Sequence, residues 1–360
     1  MANLKERKIE ELVPDASGGA ALTFGNEKGF LLPKKHKWIM SEWMKGWVAL
    51  IPALVFLILF MIYPIINAIL MSFLNNFYWV GGSNSSFALV NYFASFENSR
   101  TGVVITWGVE NYLKVFTDNL FWEALFNTAI IVIVSVPLTI LIALLIAVCL
   151  NAIKPLKGFY QTVFFLPYVT NSIALGMVFN VMFSSGSAGL FNTFMSWFGA
   201  TPKNWLGDMA SKWDMFVVIV IYGIWNGLAF KILVFMSGLA TIDQQYYDAA
   251  RIDGASKAAI FGRITVPLLS PQILYITITS FIGAMKSYTQ IISLFGGGPT
   301  KFGGTDGTRW ITIVGYIYKY INSTNESALA RAAAGSIILL IIVLIITGIQ
   351  FLVSNKRVHY

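Results

Sequence analysis

Six stretches of this chain are apolar over the roughly 20 residues that a helix needs to cross about 30 Å of hydrocarbon. They run near Trp47 to Phe73, Leu125 to Leu150, Gly158 to Phe183, Met215 to Leu239, Val266 to Ser287 and Ala332 to Val353. Lipid offers the backbone no hydrogen bonds, so a spanning segment must satisfy its own N–H and C=O groups, within a helix or around a closed barrel. None of these stretches shows the strict alternation of a lipid-facing barrel strand. The chain is therefore expected to be an all-α polytopic membrane protein with six transmembrane helices. Composition points the same way: 56% of the residues are hydrophobic and 12% are charged, about half the charged fraction of a soluble domain.

The basic residues set an orientation. If the N-terminus lies inside, 15 of the 25 Lys and Arg residues are cytoplasmic: eight before the first stretch, then Lys154, Lys157, Arg251, Lys257, Arg263, Lys356 and Arg357. Eight fall outside and two, Lys231 and Lys286, lie within apolar stretches. Short basic loops on the inner side favour an N-in, C-in topology. The net charge of +8 is then a topology signal, because the basic residues form no continuous stripe for nucleic acid. The expected layout is a cytoplasmic tail over 1–46, a first span over 47–73, an external loop over 74–120, a core over 121–353 with a cytoplasmic loop at 241–271, and a cytoplasmic tail over 354–360. Residues 1–35 are expected to be mostly disordered. Lys37 to Trp47, with its tryptophans and Lys45, is expected to lie as a helix at headgroup level. The 46 residues before the first stretch, and its length, argue against a signal peptide.

Little in the chain can perform acid–base or metal chemistry inside a membrane. Its two histidines, His36 and His359, lie in the tails, and the single cysteine, Cys149, has no second cysteine to pair with. No catalytic residue and no metal ligand set is expected. The phosphate-loop pattern GxxxxGK[ST] does not occur, so ATP hydrolysis by that route is excluded. No acidic residue lies between Glu123 and Asp208 or between Asp253 and Asp306. Proton-coupled and many ion-coupled carriers use buried carboxylates, so this distribution speaks against self-powered transport, although sodium held by carbonyls and hydroxyls would not need them.

The informative polar segment lies between the fourth and fifth stretches. Asp243 can cap a helix from about Gln244 to Asp253, Gly254 can supply a left-handed stop, and Ser256 can cap a second helix. Pro267 is expected to end the polar stretch where the chain enters the membrane again. These signals predict a helix, a sharp turn and a helix. As an ordinary basic linker the segment would have no further meaning. Its spacing of Asp248-Ala249-Ala250, Gly254, Ile264 and Pro267, however, resembles the coupling motif of the membrane subunits of binding-protein-dependent ABC importers. The sequence departs from the commoner pattern in having Asp for Glu and Val266 for Leu. The resemblance implies that the first short helix docks in a cleft of an ATPase subunit. Ala249, Ala250 and Gly254 would permit close approach, and the Asp248 carboxylate would meet a basic partner.

The resemblance extends from about Trp107 to the C-terminus and is closest to the sugar-type permeases, the family of the maltose and glycerol-phosphate importers. It is carried by Asn111-Tyr112, Asn127-Thr128, Leu166-Pro167, Asn171-Ser172, Trp225, the run Ala249 to Ala255, Gly297-Gly298-Pro299 and Tyr316 to Tyr320. It implies a permease in the bacterial cytoplasmic membrane that works with a second, similar permease, two copies of an ABC ATPase and an external solute-binding protein. It implies no cofactor in this chain, ATP and Mg being bound by the partner ATPase. It also implies alternating access driven by that ATPase, with a carbohydrate as solute. Other ABC solutes, glycerol phosphate among them, an ion-coupled carrier and a purely structural membrane subunit are the alternatives.

Candidate solute residues are the polar and aromatic groups in or near the spans: Asn180, Tyr222, Trp225, Asn226, Tyr275, Lys286, Tyr288 and Gln290. Aromatic faces suit sugar rings and amides suit hydroxyls, while bonding between helices is the other use of such groups. With Lys286 as the one well-placed cation, a neutral or weakly charged carbohydrate is expected. Lys231 is expected to snorkel toward the cytoplasmic end of its span. Pro137, Pro167 and Pro271 are expected to kink helices.

Overall fold

The computed structural model describes residues 41–77, 105–153, 157–186, 189–296, 301–304, 307–323 and 327–354. The expectations for the tail over 1–40, most of the outer loop, Gly297-Gly298-Pro299 and the last six residues lie outside the described residues. The described chain is helical apart from one pair of two-residue strands, as an all-α membrane protein should be.

The chain divides into two units, 1–60 and 61–360. In the first, α1 (Glu42–Leu57) is capped by Ser41, whose hydroxyl accepts from the Met44 N–H at 3.3 Å. Trp43, Lys45 and Trp47 lie in the first turns of α1 itself. Residues 37–40 of the expected headgroup helix lie outside the described residues, and its remainder belongs to the one helix that the Ser41 cap starts and that continues into the apolar sequence.

In the second unit, α2 (Tyr63–Ser72) leads to β1 (Leu74–Asn75), which pairs antiparallel with β2 (Thr106–Trp107). Helix α3 (Glu110–Phe116) and the 34-residue α4 (Asn119–Ala152) follow, and α4 runs through Pro137 without a break. Next come α5 (Lys157–Val169), α6 (Ser172–Met182), α7 (Leu190–Ser196) and the 30-residue α8 (Lys212–Thr241). The polar segment forms α9 (Gln244–Ile252) and α10 (Lys257–Ile260). A π-turn over Phe261–Thr265 continues into α11 (Val266–Leu268), and α12 (Ser270–Met285), α13 (Thr289–Leu294), α14 (Ile313–Ile321) and α15 (Ala328–Ser354) complete the chain.

Among the described residues four helical runs are long and apolar enough to cross a bilayer by themselves: Trp43–Ser72, Asn119–Ala152, Lys212–Thr241 and Ala328–Ser354. The expected third and fifth spans are bent pairs of helices. Between α5 and α6 the axis turns by 96°. The Thr170 hydroxyl donates to the Leu166 carbonyl at 2.9 Å, and the Asn171 side chain accepts from the Ile173 N–H at 2.8 Å. Two local side chains thus take over backbone bonds that a continuous helix would have made, and a new helix starts at Ser172. The second break is at Leu269, where the run Lys257–Leu268 meets α12 at 67°. Pro267 consequently sits within a helical run and does not end it. Pro271, in the first turn of α12, is tolerated because a proline there lacks only an N–H that would have had no helical partner.

Helices in lipid gain little from mutual hydrophobicity, so close packing and polar ties carry the association. Against α8, α4 presents Ala143 and Ala147, both 0% exposed, beside Ile232, Phe235 and Leu239. At Gly238 of α8 a Cβ would stand 2.8 Å from Leu269 and Gln272, so only glycine permits this approach.

The polar ties join elements distant in sequence. Asn111 donates to the Ser72 and Leu74 carbonyls at 3.1 and 2.9 Å. Asn127 donates to the Ile311 carbonyl at 3.1 Å, and the Thr128 hydroxyl accepts from the Ile313 N–H at 3.0 Å. In the α7 loop Asn192 donates to the Gly186 and Lys203 carbonyls and accepts from the Lys203 N–H and the Trp205 indole, all within 3.1 Å. Arg331 of α15 makes a 2.6 Å ion pair with Asp118, which also caps α4, and donates to the Lys114 carbonyl and the Tyr316 hydroxyl. Tyr320 donates to Asp118 at 3.0 Å and its ring lies 4.3 Å from the guanidinium. Burial pushes the Tyr316 and Tyr320 phenols up from their ordinary range, which keeps both neutral.

Candidate functional site

Two places combine exposure or cavity with polar chemistry. The first is the loop at 241–271. The Asp243 carboxylate caps α9 by accepting from the Gln245 N–H at 3.0 Å, and Ser256 caps α10 through the Ala259 N–H at 3.3 Å. At the end of α9, Gly254 has φ +73°. Its N–H bonds the Arg251 carbonyl at 3.1 Å and the Ala255 N–H bonds the Ala250 carbonyl at 2.9 Å. This is the pair of bonds that closes a helix on a left-handed glycine. The Tyr247 and Thr265 hydroxyls, 3.3 Å apart, tie α9 back to the following helical run.

The sequence therefore fixes a short helix with a sharp stop and leaves most of it exposed. Ala250 is buried and Ile264 is half-buried, so they support the loop from within; Asp248, Ala249 and Gly254 face outward. Asp248 has a local partner, Arg251, at 3.1 Å, but both side chains are more than half exposed. Such a pair is worth a few tenths of a kcal/mol and leaves the carboxylate available to another cation. Sequence reading missed the apolar members of this face. Tyr246 is 57% exposed and Ile252 is 86% exposed, an unusual placement for an isoleucine that only its position next to the acidic end of the loop could have suggested.

The second place is an open cavity of about 280 Å³ lined by α4, α8, α12 and α13. Its wall includes Ser135, Thr139, Tyr222, Gly227, Lys231, Thr279, Ser280, Ser287 and Gln290. Gln290 donates to the Asn226 side chain at 3.1 Å, so α13 and α8 share an amide pair. Tyr222 forms part of the wall, yet its hydroxyl is occupied by the Ser172 carbonyl at 2.6 Å, which anchors the start of α6.

Of the sequence-derived solute candidates, the cavity wall thus includes Tyr222 and Gln290, with Asn226 bonded to Gln290 from outside it. The others lie off the cavity wall. Asn180 donates to the Leu294 carbonyl and ties α6 to α13. Trp225 is 38% exposed and packs against Phe179 at 5.6 Å. Tyr275 is half exposed on α12, and Tyr288 stacks on Tyr318 at 4.1 Å. Lys286 caps the C-terminal end of α12 and is exposed.

The cation in the wall is Lys231. Its ammonium turns back along α8 to the Gly227 carbonyl at 3.0 Å, away from the loop at 241–271. That contradicts the snorkelling expected of it. Helical side chains lean toward the helix N-terminus, and here the lean carries the ammonium into the cavity. A lysine in the second half of a long apolar helix gave no sequence signal distinguishing the two directions.

The sequence profile described as the binding-protein-dependent transport system inner membrane component matches residues 119–359, which include both places. A lactose transport system permease protein, LacF, of Rhizobium radiobacter is 29% identical over 317 residues, covering 87% of this chain and 95% of the relative. A trehalose/maltose transport system permease protein, MalF, of Thermococcus litoralis is 33% identical over 250 residues, covering 69% of this chain and 80% of the relative. In fold, the chain resembles a subunit of a bacterial alginate ABC transporter solved in complex with an alginate pentasaccharide-bound periplasmic protein. The TM-score is 0.68 at 19% identity, over 87% of this chain and 94% of that one.

Proposed function

Because this chain belongs to the binding-protein-dependent transport system inner membrane component family, as a sugar-type ABC importer permease, we propose that α9 is the helix through which an ATPase drives it. The observation that carries this reading is the exposed, glycine-stopped α9 inside the matched region, with Asp248, Ala249 and Gly254 on its open face. Two ATPase copies, holding ATP and Mg, close on nucleotide and move α9 with its counterpart on a second, similar permease. The bent third and fifth spans and α8 rearrange between inward-open and outward-open states, as packed elements with two discrete arrangements do. The ATP-derived difference between those states drives accumulation. Solute arrives from an external binding protein, a partner that the complex formed by the alginate transporter supports.

In this reading the N- and C-termini lie in the cytoplasm of a bacterium, α9 faces the cytoplasm and the chain is a multi-pass protein of the inner membrane. The cavity beside Gln290 is a stretch of the solute path. The chain is a transport component that hydrolyses nothing by itself. Purified alone it should show ATP hydrolysis at background level, and hydrolysis should appear on adding the ATPase. Turnover by the isolated polypeptide would contradict the assignment.

Gln290→Ala should lower transport by about tenfold, the effect of losing one hydrogen bond of roughly 1 to 1.5 kcal/mol to solute. Assembly and the binding protein's affinity should be unchanged. Trp225→Ala, off the wall, should have the smaller effect. Uptake into proteoliposomes holding the full complex measures both, and an unaffected Gln290→Ala variant would remove the cavity from the path.

A further inference from the structure

The cavity holds a cation and no anion. Lys231 is half-buried in its wall with one protein acceptor, the Gly227 carbonyl at 3.0 Å. An ammonium has three donors, so two remain to be met. Among the described residues no carboxylate is placed to meet them. None of the residues lining the cavity is acidic, and Asp and Glu are absent from α4 beyond Glu123, from 215–242 and from 254–305.

A Cβ at position 227 would stand 2.9 Å from its Nζ, the movable end of a flexible side chain, so the ammonium lies close over this glycine. A charge at membrane depth is expensive and is normally found where it meets an opposite charge or lines a transport route. The rest of the wall suits hydroxyls. Thr139 and Thr279 donate to the Ser135 and Tyr275 carbonyls of their own helices, which leaves their oxygens free to accept.

We propose that this cavity takes a sugar that carries a carboxylate, a uronic acid unit, with Lys231 meeting the carboxylate and the threonine and serine hydroxyls meeting the ring hydroxyls. The inference rests on the cavity being part of the solute path. It narrows the neutral or weakly charged carbohydrate expected from the sequence and moves the cation from Lys286 to Lys231.

The test is equilibrium binding to the complete complex in nanodiscs, without binding protein, of digalacturonate and of galactobiose, which differ by oxidation at C6. Digalacturonate should bind at least tenfold more tightly. Lys231→Met should abolish that preference and change galactobiose binding less than twofold, and Lys231→Arg should keep the preference. Removing a charge from membrane depth does not hinder insertion, so Lys231→Met is expected to assemble. Equal binding of the two sugars by the wild type, or an unchanged acid preference in Lys231→Met, would overturn the proposal. Thr279→Val and Gln290→Ala separate the two layers. If they weaken both sugars while Lys231→Met changes nothing, the path stands and the charge assignment falls. If they leave both sugars unaffected, the path itself is wrong.

Discussion

Gly254→Asp should abolish transport by the assembled complex while the permease still inserts and folds. Gly254 sits at φ +73° with nothing within 4 Å of a Cβ position, so the isolated chain has room for a side chain. The left-handed conformation costs an L-residue about 1 kcal/mol, and Asp is among the residues that tolerate it best. Strain alone would therefore leave most of the loop formed. The larger effect is a charged group on the face proposed to enter the ATPase cleft. Gly254→Asn has a similar backbone cost without the charge and should be intermediate, so the pair separates strain from docking. Asp248→Ala should be milder still, because that carboxylate is over half exposed and shared with Arg251, a contact worth on the order of 1 kcal/mol or less. Uptake and ATPase co-purification for the three variants decide the matter: wild-type transport by Gly254→Asp would show that α9 does not dock there.

The second large effect is on stability. Arg331→Ala should sharply reduce the yield and thermal stability of the folded permease. The side chains of Asp118 and Arg331 are 17% and 21% exposed, and removing the arginine leaves a mostly buried carboxylate with only Tyr320 and the Leu120 N–H as partners. The cost of stranding such a charge is about 3 kcal/mol. Replacing both partners, Asp118→Asn with Arg331→Met, should recover part of the loss, since no charge is then left behind. Unfolding in detergent followed by light scattering gives the comparison. A double variant as unstable as the single one would mean that the arginine acts through packing on Tyr316 and Tyr320.

The parts of this molecule legible in the sequence were those set by neighbours along the chain. Asp243, Gly254 and Ser256 act on backbone groups a few residues away, and the cap, stop and cap expected of them are what forms. Apolar length likewise located the four long apolar helices and the two bent helix pairs. Bends were not legible, because Thr170 and Asn171 in an apolar run look like ordinary polar residues until their side chains are seen to replace backbone bonds. Side-chain direction was not legible either. Lys231 and Lys286 are both cations in apolar stretches, and only the packing of four helices shows that the first points into a cavity. The same holds for Asn180 and Tyr222, whose polar groups are spent on carbonyls of neighbouring helices.

The bonds from Asn127 and Thr128 join positions 184 and 185 residues apart. A ribosome adding about 5 to 20 residues per second takes on the order of 10 to 40 s to cover that distance. Throughout that interval α4 is already made while its amide and hydroxyl wait for partners that do not yet exist. Early in its life the half-made chain must therefore be held by water, by the insertion machinery or by another chain at this spot. Nascent chains halted before Arg309 should be conspicuously vulnerable to membrane proteases, and those halted after Ile313 should not.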